Sequence, residues 1–242
     1  MKVISPGHHP TADKFWREQL KCNPNGARTL GSAMAKYFPP LLENYFDMMV
    51  CYSASFSFDI PEGTRRIAVF GHQNFPPTEG FRVWQKVNAK LKGYEVIYFY
   101  NDPTMVKMIN EFGRAYLLPR FLDTDDYPTI KAGKIFDTLW LGNVWDSVQG
   151  MFDAYKETAT YPYWVSKGVF GFRDMEIKQV NREETLRLLA QTKTAWAIGI
   201  SQLEARLYGC DVVPYKDGVL PFYDQHTILP YLQRLLDEIG PK

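Results

Sequence analysis

Two polar side chains in the last quarter of the chain have a spacing suited to binding an anion. Ser201 and Glu204 follow the apolar run 194–200, and together they form the S-x-x-E pattern of a capping box at a helix start. A helix N-terminus presents unpaired N–H groups and a partial positive charge, so we expect a phosphate-bearing ligand to dock there. Glu204 is then either a helix cap alone or a cap that also contacts the ligand.

Other candidate residues follow predicted strands or lie in turns. His72 comes just after the strand-like run 66–70, and it is either a structural, solvent-facing histidine or a functional one. Asn25-Gly26 is either a simple turn, since this pair favours positive φ, or part of a ligand cleft. His8-His9 lies in a loop after the first strand and serves either an acceptor or only the loop.

The sequence around Ser201 predicts a strand, a helix that ends at a glycine, and a second strand. Residues 194–200 are apolar and β-prone, as in a buried parallel strand. Gly209 supplies the positive φ that ends a helix, and residues 210–215 re-enter a sheet. In open α/β sheets ligands bind at the carboxyl ends of strands, which is where this order puts Ser201.

Strands and helices alternate along the whole chain, which predicts an α/β protein with parallel sheets. Strands are predicted at 2–5, 47–52, 66–70, 94–100, 115–119, 136–141, 162–166, 175–180, 194–200 and 210–215. Helices are predicted at 11–20, 27–38, 41–46, 81–92, 104–112, 146–156, 181–192, 201–208 and 227–239, with a loop at 75–80.

The aspartate-rich stretch 121–133 has little periodicity and is interpreted as an interdomain linker. It divides the chain into an N-terminal Rossmann-like domain, 1–122, and a C-terminal one, 123–242. The terminal helix is allowed to cross back to the first domain. Asp123, Asp125 and Asp126 are expected to cap and solvate this crossover.

Composition favours a reduced, soluble, cytoplasmic protein. The formal net charge is only +1 and 45% of the residues are hydrophobic, which fits a globular core and gives no global field for nucleic acid. Cys22, Cys51 and Cys210 form no metal-ligand spacing, so neither a metal site nor a disulfide framework is expected. No apolar run approaches the roughly 18 residues of a membrane span, and no signal peptide is visible.

Four segments occur in an order that is similar to a known enzyme family. They are a glycine loop and helix at 25–38, the strand-end histidine of 69–72, the crossover segment 115–128, and the segment 181–213 that contains Leu-Glu-Ala-Arg. Together they resemble the large retaining group 1 family of GT-B glycosyltransferases, in a compact variant.

The resemblance implies two Rossmann-like domains whose parallel sheets face each other across a cleft. It implies transfer of a hexose or pentose from a nucleotide-sugar, with a UDP-sugar as the expected donor, to an acceptor that stays open. In this fold helix N-termini and basic side chains neutralise the leaving diphosphate, so neither metal nor cofactor is expected. By the same resemblance His72 is the catalytic candidate, and the donor-binding candidates are Glu204, Ser201, Gly142, Asn143 and Gly26.

The chain also departs from the family pattern. No obvious Arg and Lys follow the strand 136–141, so Lys167, Arg173 and Arg206 stay open as possible phosphate contacts. Trp196 stands where the family has an acidic residue, which leaves recognition of the donor sugar open.

Three alternatives therefore accompany the glycosyltransferase hypothesis. One is transfer to a modified base in viral DNA, which requires a local basic face. Lys90, Lys92 and Lys107 are interpreted as solvated surface, and such a face could also contact a polyanion. The second is a non-catalytic nucleotide- or sugar-binding module, and the third is a hydrolase of the same fold that turns over the donor without an acceptor.

Overall fold

The chain forms two compact units, each built on a parallel β-sheet. The first unit contains the described residues through Phe121 together with Tyr223–Lys242, and the second contains Leu122–Phe222. The division at Phe121 lies one residue from the predicted boundary, and the terminal helix belongs to the first unit. The computed structural model describes residues 1–4, 30, 33–34, 36–52, 59–71, 77–141, 149–158, 164–165, 182–214, 218 and 220–242.

The sheet of the first unit has five strands in the order in which they follow along the chain. All neighbouring strands are parallel. The central strands are buried on both faces, which explains their continuous apolar character. The strands are β1 (Lys2–Ile4), β2 (Met48–Tyr52), β3 (Arg66–Gly71), β4 (Glu95–Tyr100) and β5 (Arg114–Leu117).

Helices cover both faces of this sheet. Met49, Phe70 and Phe99 belong to one core, and the alternate residues Val69 and Tyr98 belong to the other, as expected from the two-residue period of a strand. The described helices are α1 (Pro39–Leu42), α2 (Pro77–Lys90), α3 (Pro103–Ile109) and, after the second unit, α7 (Gln225–Ile239).

Prolines explain two differences from the predicted helices of the first unit. The gap predicted between the helices 27–38 and 41–46 is confirmed at Phe38, but the second helix, α1, begins at Pro39 rather than at 41, because prolines in the first turn lose no helical hydrogen bond. The predicted loop 75–80 is wrong for its last four residues, because α2 begins at Pro77. Asp102 is the N-cap of α3: its carboxylate accepts from Thr104 N at 2.7 Å.

The C-terminal residues are fixed to the amino-terminal edge of the first sheet. Arg66 is 6% exposed and donates to Gly240 O at 2.8 Å. Lys242 Nζ lies 2.8 Å from Asp47 Oδ1, and the amides of Arg65 and Arg66 donate to the other carboxylate oxygen. The hydrogen bond from Lys242, with these two amides, lowers the pKa of Asp47 to about 2.

The second unit has a four-stranded parallel sheet. Its strands are β6 (Phe136–Leu141), β7 (Trp164–Val165), β8 (Thr192–Ala197) and β9 (Asp211–Pro214). Its described helices are α4 (Gln149–Thr158), α5 (Arg182–Gln191) and α6 (Ile200–Leu207). The α/β class and the two parallel sheets predicted from the sequence are therefore confirmed, while the predicted strand 175–180 lies outside the described residues.

The stretch 121–133, predicted to be a linker, begins as packed structure. Leu122 is fully buried, Tyr127 is 8% exposed, and both belong to the core of the second unit. Asp123 caps a 3-10 turn, Thr124–Asp126, by accepting from Asp125 N at 3.3 Å. The stretch is therefore packed through Tyr127 around one short turn, whereas residues 128, 129 and 131–133 are exposed.

A lysine neutralises two helix ends at the amino-terminal edge of the second sheet. Lys134 Nζ donates to Tyr208 O at 2.7 Å and to Leu189 O at 3.3 Å, at the C-terminal ends of α6 and α5. Helix C-termini carry partial negative charge, so this cation stabilises both. Cys210 lies 3.8 Å from the same nitrogen, and burial raises the pKa of its thiol.

Candidate functional site

The strand order of the second sheet defines one place where a ligand is expected. The order is β7-β6-β8-β9, so the chain leaves β6 for a neighbour on one side and returns to the other side at β8. This reversal is a topological switch point, and ligands of open α/β sheets bind in the crevice outside such a point. Leu141 and Ala197 are paired at the carboxyl ends of β6 and β8, so both strands end at the same level. Among the described strands of the first sheet, β1 to β5, the order does not reverse.

The turn after β8 is built on a glycine. Gly199 is the N-cap of α6 and has φ 59° and ψ −129°, a conformation that residues with a Cβ rarely adopt. The Ser201 amide donates to Ile198 O at 3.2 Å and the Gln202 amide to Gly199 O at 3.1 Å. The turn is therefore tight, and only two residues separate the end of β8 from the first residue of α6.

The predicted capping box is wrong. Ser201 was expected to be the N-cap, but it is the second residue of α6, and the N-cap Gly199 makes no side-chain cap. Strand β8 ends at Ala197 rather than at residue 200, because Gly199 allows the chain to turn early. Ser201 nevertheless lies half-buried in the first turn of the helix at the switch point.

Glu204 is buried and has a partner that the sequence did not suggest. It is 4% exposed, and Tyr127 OH donates to its Oε1 at 2.7 Å. Hydrogen bonds to an ionised acceptor are stronger than neutral ones, particularly where water is excluded. Tyr127 lies 77 positions earlier in the chain, so no local spacing pattern could have paired the two.

Two other polar residues of α6 hold the segment that follows β9. Gln202 is fully buried, donates to Gly218 O at 3.1 Å and accepts from Leu220 N at 3.1 Å. Arg206 donates to Leu220 O at 2.6 Å, and its guanidinium lies 5.8 Å from the Phe222 ring centroid. Arg206, a predicted phosphate contact, thus binds backbone and an aromatic ring here.

Trp196, where the resembled family has an acid, takes part in aromatic packing. Its neighbours in β8, Ala195 and Ala197, face the core shared with α6, so Trp196 points to the opposite face. There its ring lies 5.8 Å from that of Tyr155, which also packs against Trp140. Burial raises the pKa of Tyr155 to about 12, so this phenol stays protonated at neutral pH.

All of the remaining predicted site residues lie outside the described residues. They are Gly26, His72, Gly142, Asn143, Lys167 and Arg173. Two of these follow strand ends that are described, since β3 ends at Gly71 and β6 at Leu141. Across the described ranges, no group of His, Cys, Asp and Glu side chains could hold a metal ion.

The end of β3 shows a close packing requirement. Gly71 pairs with Tyr100 in the neighbouring strand, and Tyr100 is fully buried. A Cβ on Gly71 would come within 2.8 Å of three atoms of the Tyr100 ring, nearer than real Cβ contacts occur. Glycine at this position is therefore explained by packing, directly before the predicted catalytic His72.

Comparison with known proteins adds no relative. No protein-family model matches the chain, and no curated protein matches it. Within the part of the chain that the structure describes, no helix is long and apolar enough to cross a membrane. The sheet topology and the residues at the end of β8 are therefore the features that indicate a ligand site.

Proposed function

We propose that the second unit binds a nucleotide-sugar outside the carboxyl ends of β6 and β8, and that the protein is a glycosyltransferase. The observation that carries this proposal is the strand order β7-β6-β8-β9, which has its switch point between these two strands. Nucleotide ligands of open α/β sheets bind at such points, with their phosphates at a helix N-terminus. Helix α6 begins there, with only two residues between it and the end of β8.

The proposal assigns roles to residues on both sides of the crevice. Gly199 lets α6 begin close to the sheet, and the Ser201 hydroxyl in its first turn is a donor for a phosphate oxygen. Glu204, oriented by Tyr127, is proposed to accept from a ribose hydroxyl, as the resemblance implies. Gly142 and Asn143, which come directly after β6 in the sequence, are proposed to contact the donor, as the resemblance implies.

The proposed reaction transfers the sugar with retention and without a metal ion. As the bond from the anomeric carbon to the diphosphate oxygen breaks, positive charge develops on the sugar and negative charge on the leaving group. The dipole of α6 and nearby donors stabilise the diphosphate, and the first unit supplies His72 and the acceptor side. The full proposal includes the GT-B arrangement of the two units and a UDP-sugar donor.

A thermal-shift screen with UDP, GDP, ADP and their sugars tests the binding step. A ligand at 100 times its Kd stabilises the native state by about 2.7 kcal/mol. We expect Glu204→Gln to keep an acceptor for Tyr127, and hence the fold, while the nucleotide-induced shift decreases. Glu183→Gln is the matched control, because Glu183 is an exposed helical glutamate paired with Arg187. If no nucleotide stabilises the folded chain, the proposed function is wrong.

A non-catalytic nucleotide-binding module is the second candidate, and two observations favour it. Trp196 is packed against Tyr155 where the resembled enzymes have an acid, and Arg206 is bound to Leu220 O. The two candidates differ in turnover. A glycosyltransferase releases nucleoside diphosphate from its donor when the acceptor is present, whereas a binding module shows the thermal shift without release on any acceptor.

A further inference from the structure

The outer surface of helix α2 in the first unit carries a row of cations. Arg82, Lys86 and Lys90 are all exposed and recur every fourth residue, which spaces them about 6 Å apart along one side of the helix. Residues 81–114 contain six basic side chains (82, 86, 90, 92, 107 and 114) and three acidic ones (95, 102 and 111). This part of the chain is therefore +3, while the whole chain is +1.

A shallow apolar pocket lies beside this row. Its volume is about 220 Å³, and its walls come from α2 and from the turn after α3. Phe112 in that turn is 67% exposed, the largest exposed fraction among the large apolar side chains described. The lining residues are Phe81, Trp84, Gln85, Asn88, Ala89 and Phe112.

The pocket walls are ordered by aromatic and polar contacts. Phe81 stacks on Trp84 with centroids 4.9 Å apart, and Phe112 lies 5.9 Å from Phe81. Tyr98 OH donates to Asn88 Oδ1 at 2.8 Å, which fixes this amide at the rim. The buried Nε1–H of Trp84 has no acceptor among the described residues, and a buried donor without an acceptor costs about 1–3 kcal/mol.

We propose that this surface binds an acidic peptide segment of a partner protein, with one apolar side chain of the peptide in the pocket. The cation row would pair with carboxylates of the peptide. This inference concerns the first unit and is independent of the ligand proposed for the second unit.

The pocket favours a peptide over other polyanions. Single-stranded nucleic acid binds by stacking successive bases on exposed aromatic faces. Here Trp84 is 2% exposed and Phe81 is stacked on it, so Phe112 alone offers an open face. An anionic membrane is entered by protruding apolar groups rather than by a recess. Glu111, exposed beside Phe112, would also oppose such a surface.

Selection from a random displayed peptide library with the full chain tests the proposal. We expect enrichment of peptides that combine several acidic residues with one large apolar residue. A fluorescein-labelled peptide from the enriched set is then titrated by anisotropy at low and high salt. Arg82→Glu/Lys86→Glu is expected to weaken its binding at least about tenfold, since two charge contacts near 1 kcal/mol each are reversed. Phe112→Ser removes the exposed wall and should weaken binding at both salt concentrations.

Controls come from the second unit. Lys131→Glu reverses an exposed cation there, and Ile135→Ser removes an apolar side chain that is 65% exposed. Both should leave peptide binding unchanged, and circular dichroism checks that every variant is folded. The proposal is overturned if no acidic peptide is enriched, or if the controls weaken binding as much as the α2 variants. It is also overturned if binding of labelled oligothymidylate or of phosphatidylserine vesicles depends on Arg82 and Phe112, while binding of the peptide does not.

Discussion

Replacing Gly71 by alanine is expected to destabilise the first unit by about 2 kcal/mol, because overpacking a buried site costs about 1–3 kcal/mol. The added methyl group would lie within 2.8 Å of three Tyr100 ring atoms. Tyr100 is fully buried, so its ring cannot move aside into solvent. Gly71 does not have a positive φ, so the expected loss comes from packing rather than from backbone strain.

Urea denaturation measures this loss as a lower midpoint at unchanged slope. Gly113→Ala is the matched control, because the nearest atom to its added Cβ is Ile109 O at 3.9 Å, an ordinary contact. We expect Gly113→Ala to change the free energy of unfolding by less than about 0.5 kcal/mol.

A double-mutant cycle identifies the overlapping group. Tyr100→Leu removes the ring and leaves room for the methyl group, so the Gly71→Ala substitution should cost less in that background, with a coupling of about 1 kcal/mol or more. Tyr100→Phe keeps all three overlapped ring atoms and should give no such relief. If Gly71→Ala is neutral, or if Tyr100→Phe relieves it as well as Tyr100→Leu, the packing argument is refuted.

Three further predictions concern the described hydrogen bonds and backbone. Tyr127→Phe should lower the free energy of unfolding by about 1–3 kcal/mol, because Glu204 loses a buried donor; equal stability of wild type and variant in urea would contradict this. The folded-state pKa of Asp47, about 2, is below its usual value, so its stabilisation is present above about pH 4 and disappears as pH falls through 2. Asp47→Asn should therefore cost about 1 kcal/mol at neutral pH after solvent screening and flatten the acid limb of the stability curve, and Lys242→Met should do the same. Gly199→Ala should lower the thermal midpoint and the nucleotide-induced shift together, because φ 59° is unfavourable for alanine; an unchanged midpoint would show that the turn accepts a Cβ.

Elements with a strong local pattern could be predicted from the sequence. The strand 136–141 was predicted with the observed bounds, and Gly209, with φ 70°, follows the end of α6 as expected. Apolar runs and glycine stops are local properties, so they need no knowledge of tertiary contacts. The α/β class followed from the same alternation of strands and helices.

The predictions that were wrong concern features that depend on backbone geometry or on residues distant in the sequence. The S-x-x-E pattern indicated a cap at Ser201, but a glycine with positive φ two residues earlier started the helix instead. Glu204 is held by Tyr127, which belongs to a stretch interpreted as a linker. Local sequence pattern also does not reveal the strand order, because that order is set by which strands pair. Among the described strands, this order creates a switch point in the second sheet only.

The position of α7 imposes an order on synthesis and folding. Ile228, Leu232 and Leu236 are fully buried in the core of the first unit, yet they are translated only after the whole second unit. The second unit, 122–222, is translated in between, which takes about 5–20 s at usual bacterial and eukaryotic rates. During that interval one face of the first sheet, including Phe70 and Phe99, lacks its final cover. The first unit is therefore begun before the second, but its core is completed only after the second unit and α7 have been translated.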